Sequence, residues 1–265
     1  MPTNSIALEE YIDSDNETVK LKLWFMWNWL KSHPKEDLFF VIRTRVNIYG
    51  YVDIDAPKRD YENPKWKEAE NLVNDVYKNS VNAEDFEIKG IEALKNTIEK
   101  QCKKEYLKPY VLPIPSYQCG SLKYDSPDGK WTPGKYFIHI ANACRPKSIF
   151  DDPLYLSKCL LDLMEKAKAE YGVEKLGTST WLNSHPKWLA LFPQEWMDNM
   201  GPVDNDVRWS GNFWGQFVNS KGIFNKKYGD IMRKTGEFPF KSRYSWCTFE
   251  PLKKHLEEYL KQINK

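Results

Sequence analysis

The segment KYFIHIAN, residues 135–142, alternates its side chains so that Tyr136, Ile138 and Ile140 share one face, the pattern of a β-strand. Asp151 to Tyr171 follows with helical spacing. Asp151 or Asp152 caps this helix, Pro153 sits in its first turn where a missing N–H costs nothing, and Gly172 closes it. Leu176 to Leu182 (LGTSTWL) then reads as a second short strand. Strand, helix and strand in this order predict a sheet with helices laid on it.

Toward the C-terminus the spacing predicts a helix over Pro186–Trp196, an aromatic strand over Asn205–Phe217 and a short helix over Asn225–Lys234. A last strand over Tyr244–Phe249 and an amphipathic helix over Leu252–Ile263 complete it. Toward the N-terminus, Pro109, Pro113, Pro115, Pro127, Pro133, Gly120 and Gly129 mark loop and short strand, with a boundary or hinge near 107–116. Before it, Asn63-Pro64 opens one charged helix and Asn82 caps a second that runs to about Tyr106. Leu38–Val52 (LFFVIRTRVNIYGYV) is rich in β-branched and aromatic residues and predicts a long strand or hairpin, followed by a loop with Pro57. Leu23, Met26, Trp27 and Leu30 fall at helical spacing within Glu17–Lys31, and residues 1–16 read as a loosely held arm. The expected class is α/β (α+β). A mixed twisted sheet flanked by helices occupies 107–265, and a mostly helical N-terminal part with one strand or hairpin occupies 1–106.

The chain has 265 residues, 41% hydrophobic and 29% charged, which is globular composition and enough to bury a large core. Its 39 Lys and Arg against 37 Asp and Glu leave a net charge of +2, without the basic excess of a dedicated nucleic-acid binder. No run approaches the length of a membrane span, and Met1–Asp15 carries acids in place of a basic leader, so a cytoplasmic protein is expected. The five cysteines are odd in number and widely spaced, with no CxxC pair, and read as free thiols. Four histidines in no metal-binding spacing argue against a metal site, and no phosphate-loop, dinucleotide or nucleophile-elbow motif occurs.

Three clusters are candidates for chemistry. The turn after KYFIHIAN, Ala143-Cys144-Arg145-Pro146-Lys147-Ser148, leads into a helix N-terminus, with Asn142 at the end of the strand as a further candidate ligand contact. There the helix dipole and free N–H groups favour an anion that Arg145 and Lys147 would reinforce; the plainer reading is a strand-to-helix connection with two exposed cations. Ser179, Trp181, Asn183, Ser184 and His185 gather at the exit of the second strand, where open α/β sheets bind ligands, although Asn183 or Ser184 is also a good helix cap. In RWSGNFWGQF (208–217), Arg208, Trp214 and Gln216 are candidate ligand contacts, with Gly215 allowing close approach; a twisted strand with an aromatic core face is the alternative. His139 and His185 are candidate bases because neutral imidazole accepts protons near pH 7. Cys144, before a helix and beside Arg145, is the better candidate nucleophile; Cys119 sits in a strand-and-turn context that does not activate a thiol.

Residues 135–217 resemble, in pattern, the C-terminal domain of GNAT-like N-acyltransferases. The matching features are Ile138-His139-Ile140, the helix at 153–171, Ser179-Thr180-Trp181-Leu182, Pro186 and Leu191-Phe192-Pro193, about a third of the chain. The family's Gly-rich pyrophosphate loop is absent, with Cys144-Arg145-Pro146-Lys147 in its place. The resemblance implies transfer of an acyl group from acyl-CoA or a carrier-bound thioester to a small amine or alcohol. No cofactor would be tightly bound, an acyl carrier protein would be an eligible partner, and neither nucleic acid nor membrane is expected. The other readings are a non-catalytic aromatic-lined small-molecule binding protein, motivated by Trp-rich 24–29 and 209–214, and a Cys-dependent acyl or amide-forming enzyme using Cys144 or Cys119.

Overall fold

The computed structural model describes residues 6–56, 58–108, 111–125 and 136–263. Pro57, Pro109, Pro127, Gly129, Pro133 and Lys135, assigned above to loops or a strand end, lie outside the described residues, as do residues 1–5 of the expected arm. In chain order the elements are α1 (Leu8–Ser32), α2 (Leu38–Val41), α3 (Pro64–Lys78), α4 (Ala83–Tyr106), β1 (Leu122–Tyr124), β2 (Tyr136–Ile140) and α5 (Tyr155–Tyr171). They continue with β3 (Lys175–Thr180), α6 (Pro186–Leu189), α7 (Gln194–Asp198), α8 (Gly211–Trp214), α9 (Lys226–Thr235), β4 (Arg243–Thr248) and α10 (Phe249–Ile263). The chain forms two compact units. The first holds described residues up to 108, Val207–Ser210 and Ile223–Phe238; the second holds those within 111–206, Gly211–Gly222 and the chain from Pro239.

In the first unit α1 lies along α4, and α3 packs on α4. Val19, Leu23, Met26 and Leu30 recur every three or four residues on α1 and are buried, as are Phe86, Leu94, Ile98 and Cys102 on α4. Trp27 packs on Tyr77 at 5.0 Å and Phe86 at 5.8 Å. Asn63 and Asn82 cap α3 and α4 as expected. The N-terminal arm is not loose from Ile6 onward: α1 begins at Leu8, Tyr106 Oη donates to Ile6 O, and Ser14 Oγ accepts from Phe224 N at 2.7 Å. The expected strand or hairpin at 38–52 is also corrected. α2 leads into a π-helical turn over Ile42–Val46 and a 3₁₀ turn over Tyr49–Tyr51. Asp37 caps the start by accepting from Phe40 N, and Leu38, Val41, Ile42 and Val46 are buried at helical spacing, so burial overrides the β-propensity of this segment.

Lys22 on α1 is buried and donates from Nζ to Val46 O (2.5 Å) and Asn47 O (3.0 Å), the carbonyls that end the π-helical turn. Its ammonium lies 5.0 Å over the Tyr51 ring. Burial, reinforced by Arg59 and opposed by Asp15, pushes it down to about 7. Burial pushes the neighbouring Asp15 carboxyl up to about 6, although the Cys102 thiol donates to it at 3.1 Å.

The second unit is a four-stranded sheet in the order β1-β2-β3-β4, antiparallel at both outer pairs and parallel between β2 and β3. Leu122, Ile138, Leu176 and Cys247 bury one face of the sheet under Leu160, Leu163 and Met164 of α5 and Leu252 and Leu256 of α10. α5 closes on Gly172 in the left-handed conformation (φ +66°), as expected. Its expected acidic cap is corrected: Leu154 holds the cap position, while Asp152 accepts from Leu154 N and Asp151 from Ser148 N. The expected helix at 186–196 is two short ones, because Pro193 has no N–H to continue the first. The expected strand at 205–217 is likewise corrected to α8 and a 3₁₀ turn over Gly215–Phe217, which bury Phe213, Trp214 and Phe217.

The lysine sets a pH dependence for the first unit. Between about 7 and the ordinary lysine value of 10.5 the unfolded chain keeps a proton that folded Lys22 has lost, so stability rises with pH across that window. Lys22→Met removes this slope; urea unfolding at pH 6.5 and 9.5 reads it as a gap of a few kcal/mol in the native chain that shrinks by at least half in the variant. Equal slopes would reject the assignment.

Candidate functional site

β3 and β4 pair over six residues, from Lys175↔Thr248 to Thr180↔Arg243. β2 and β3 pair over only two, Tyr136↔Leu176 and Phe137↔Gly177, where their backbone ladder ends. Beyond the last pair, the Thr178 hydroxyl donates to Ile138 O at 3.0 Å in place of a backbone bond. Gly177 sits at the last rung. A Cβ there would lie 2.8 Å from Tyr244 Oη and 2.9 Å from Ser245 O, so only glycine lets the Tyr244 ring cross β3 and stack on Phe137 at 5.9 Å.

The connections leaving β2 and β3 meet past this point. Phe150, after β2, stacks on His185, after β3, at 5.0 Å and 14°. Phe240 lies 5.0 Å from the same imidazole and Trp181 meets it edge-on at 6.1 Å. His185 Nδ1 is buried with no hydrogen-bond partner, and its side chain makes no other hydrogen bond among the described residues. Burial, helped by Lys187, pushes its pKa below the ordinary imidazole value, so the ring is neutral at pH 7. A neutral imidazole inside three aromatic rings, at the carboxyl ends of parallel strands, is the candidate site.

The polar residues expected to meet a ligand are occupied by the frame. Asn142 Nδ2 donates to Lys147 O and Ser220 O, and its Oδ1 accepts from Cys144 N. Asn183 is buried; it donates to Thr178 O (2.9 Å) and Arg243 O (2.8 Å) and accepts from Trp188 Nε1 (3.0 Å). Ser184 Oγ donates to Lys241 O, so neither Asn183 nor Ser184 caps the helix after it. Buried Gln216 donates to Phe213 O and Phe240 O and accepts from Phe240 N. Trp214 is buried beside Phe217. The space at Gly215 is taken by the indole of Trp181, whose Nε1 would stand 3.1 Å from a Cβ there. Ser179 is half-buried on β3 opposite Tyr244. Arg208 belongs to the first unit.

Much of the backbone expected to hold an anion after β2 is engaged within the chain. The N–H groups of Ala143, Cys144, Lys147, Ser148, Phe150, Asp151, Leu154 and Tyr155 all donate within the chain. Lys147 is exposed, and the Arg145 guanidinium packs on Gly222, where a Cβ would lie 2.5 Å from its Nη1. His139 is exposed on β2, with Nε2 2.5 Å from Asp125 Oδ2. Burial opposes it, but His139 and Lys123 hold the Asp125 carboxyl below the ordinary range. Cys144 is half-buried. Cys119 is buried and its thiol is pushed up to about 12, first by burial and then by Asp162. Phe150 and Phe240 were missed by sequence reasoning; no local pattern brings residues 150, 185 and 240 together. No family model, curated protein or solved structure matches the chain.

Two measurements check this geometry. In a histidine-resolved NMR titration His185 titrates below 6.5, and a midpoint at or above that value rejects its burial. Asn183→Ala strands two carbonyls and an indole N–H, and a loss of about 2–4 kcal/mol is expected on chemical unfolding. A loss under about 0.5 kcal/mol would mean that these bonds do not brace the site.

Proposed function

We propose that this protein is an acyl-group transferase that passes an acyl unit from a thioester donor to a small amine or alcohol, at the carboxyl ends of β2 and β3. The observation that carries the reading is the early end of the ladder between these two strands, with a half-buried imidazole of lowered pKa beyond it. Where a parallel ladder ends, unpaired backbone groups can receive an extended thioester arm beside the sheet. The residues of the resemblance, Ile138-His139-Ile140 and Ser179-Thr180-Trp181-Leu182, are those of the two strands and their exits.

In this reading His185 is the base. With its own proton on Nδ1, its other nitrogen takes the proton of the acceptor as the amine or hydroxyl attacks the thioester carbonyl; the carbon–sulfur bond then breaks and the imidazolium hands that proton to the leaving sulfur, which departs as the thiol. Trp181, Phe150 and Phe240 pack against the imidazole, and their partial burial of it favours the neutral form. Donor phosphates meet the side chains of Arg145 and Lys147, since the N–H groups of Cys144, Lys147 and Ser148 beside them already donate within the chain. Asn142, Asn183, Ser184 and Gln216 hold the walls.

The test begins with thermal shift against free coenzyme A and acetyl-CoA, with ATP as a phosphate control. A ligand that binds only the folded chain raises Tm by mass action. The expected result is a shift with coenzyme A and not with ATP, and turnover of an acyl-thioester panel that falls at least 100-fold in His185→Gln while His139→Ala keeps it. A saturable shift without turnover favours the aromatic-lined binding reading. Turnover that survives His185→Gln overturns the assignment of the base.

A further inference from the structure

The charges on the connections around the candidate site are of one sign. Four stretches of the second unit, residues 141–150, 181–189, 215–222 and 239–243, carry Arg145, Lys147, Lys187, Lys221, Lys241 and Arg243 and not one Asp or Glu. The whole chain is nearly balanced, with 39 basic and 37 acidic residues, so this segregation is local.

Contacts join the four stretches in two pairs. Asn142 Nδ2 donates to Ser220 O at 3.2 Å, and the Arg145 guanidinium packs on Gly222, which ties the turn after β2 to residues 215–222. Ser184 Oγ donates to Lys241 O at 2.7 Å, Asn183 Nδ2 donates to Arg243 O at 2.8 Å, and the Phe240 ring lies 5.0 Å from His185, which ties the exit of β3 to residues 239–243. The stack of Phe150 on His185 links the two pairs. Acids at the margin are engaged with backbone. Asp151 and Asp152 accept from Ser148 N and Leu154 N, and Asp204, whose own N–H reaches Ser242 O, accepts from Asp206 N.

The proposed transfer draws on the first pair for charge, where donor phosphates meet Arg145 and Lys147. The second pair holds the imidazole and brings Lys187, Lys241 and Arg243. Lys187 is exposed two residues from His185, and Lys241 and Arg243 are half-buried. A site walled by cations raises the local concentration of anions and repels a cation. An acceptor whose only charge is an ammonium finds no carboxylate on these stretches to hold it.

We propose that the acceptor taken at His185 carries an anionic group, a carboxylate or a phosphate, beside the amine or hydroxyl that is acylated; this rests on the transferase reading. The anion pairs with cations of residues 181–189 and 239–243 and leaves Arg145 and Lys147 to the donor. The same cations help the chemistry. An amine arrives as ammonium and gives one proton to water before it can attack, and a nearby positive charge favours its neutral form, as Lys187 does for His185. The second proton passes to His185 as the carbon–nitrogen bond forms and the carbon–sulfur bond breaks, and from there to the leaving sulfur.

The experiment compares matched acceptors with acetyl-CoA as donor and reads the acylated product by mass spectrometry. Phenylalanine against phenylalaninamide and phenethylamine tests a carboxylate; O-phosphoethanolamine against ethanolamine tests a phosphate. The expected result, in at least one set, is a kcat/KM at least about tenfold higher for the anion-bearing member, the size of one charge-assisted hydrogen bond. Lys187→Gln or Lys241→Gln narrows that gap by raising KM for the anion-bearing member. Equal turnover across both sets, or faster turnover of the counterparts, overturns the proposal and leaves the transferase reading standing. So does a gap that neither variant narrows. If no acceptor is acylated, the transferase reading fails and binding decides the inference: a thermal shift with N-acetylphenylalanine and not with N-acetylphenylalaninamide, reduced in Lys187→Gln, keeps an anion site beside His185, and equal shifts or none overturn it.

Discussion

The short ladder between β2 and β3 governs the second unit. A parallel pair normally gains from each added rung, and β3 does run on, paired with β4 to Thr180. On its other side the ladder stops at Gly177, and the Thr178 hydroxyl meets the carbonyl that a backbone N–H leaves. Once the ladder ends, the strand exits must be held by something other than sheet. That task falls to side-chain amides and aromatic rings, and it explains why this edge is so rich in both.

The amides show how the frame is satisfied. A buried Asn or Gln without partners costs more than it returns, so each must find every donor and acceptor it needs. Asn183 ties β3 to β4 and to the indole of Trp188; Gln216 ties Phe213 to Phe240; Asn142 ties its own turn to Ser220. The buried nitrogen of His185 makes no such bond, and neither do the buried Ser157 Oγ, Ser242 Oγ and Trp196 Nε1 of the same unit.

Much of this fold is legible in the sequence. The strand KYFIHIAN, the α5 helix with its Gly172 stop, the capped α3 and α4 and the C-terminal helix all follow from period and caps. The misreadings share a cause. Leu38–Val52 and Arg208–Phe217 are rich in β-forming residues, yet burial on helical spacing decides the first, and Phe213, Trp214 and Phe217 turn inward on short helices in the second. The candidate site was half legible. His185, Trp181 and the strand exits are close in sequence, but Phe150 and Phe240 join them only in three dimensions. Asn142, Asn183 and Gln216 have the chemistry of ligand contacts, and a sequence does not say whether an amide faces a ligand or its own backbone.

The two units treat buried polarity in different currencies. In the second, neutral amides span the gaps, and such groups do not titrate. In the first, the end of the π-helical turn is closed by a charged side chain: Lys22 reaches from α1 to carbonyls that have no helical donor left. A cation suits that end of a helix, yet burial taxes the charge, and Asp15 beside it is taxed in the opposite sense. Between about 6 and 7 both groups are at the edge of their charged forms. An amide in place of Lys22 would hold the same carbonyls without that tension, so the lysine makes the hold on residues 42–47 depend on protons, whereas the frame around His185 does not.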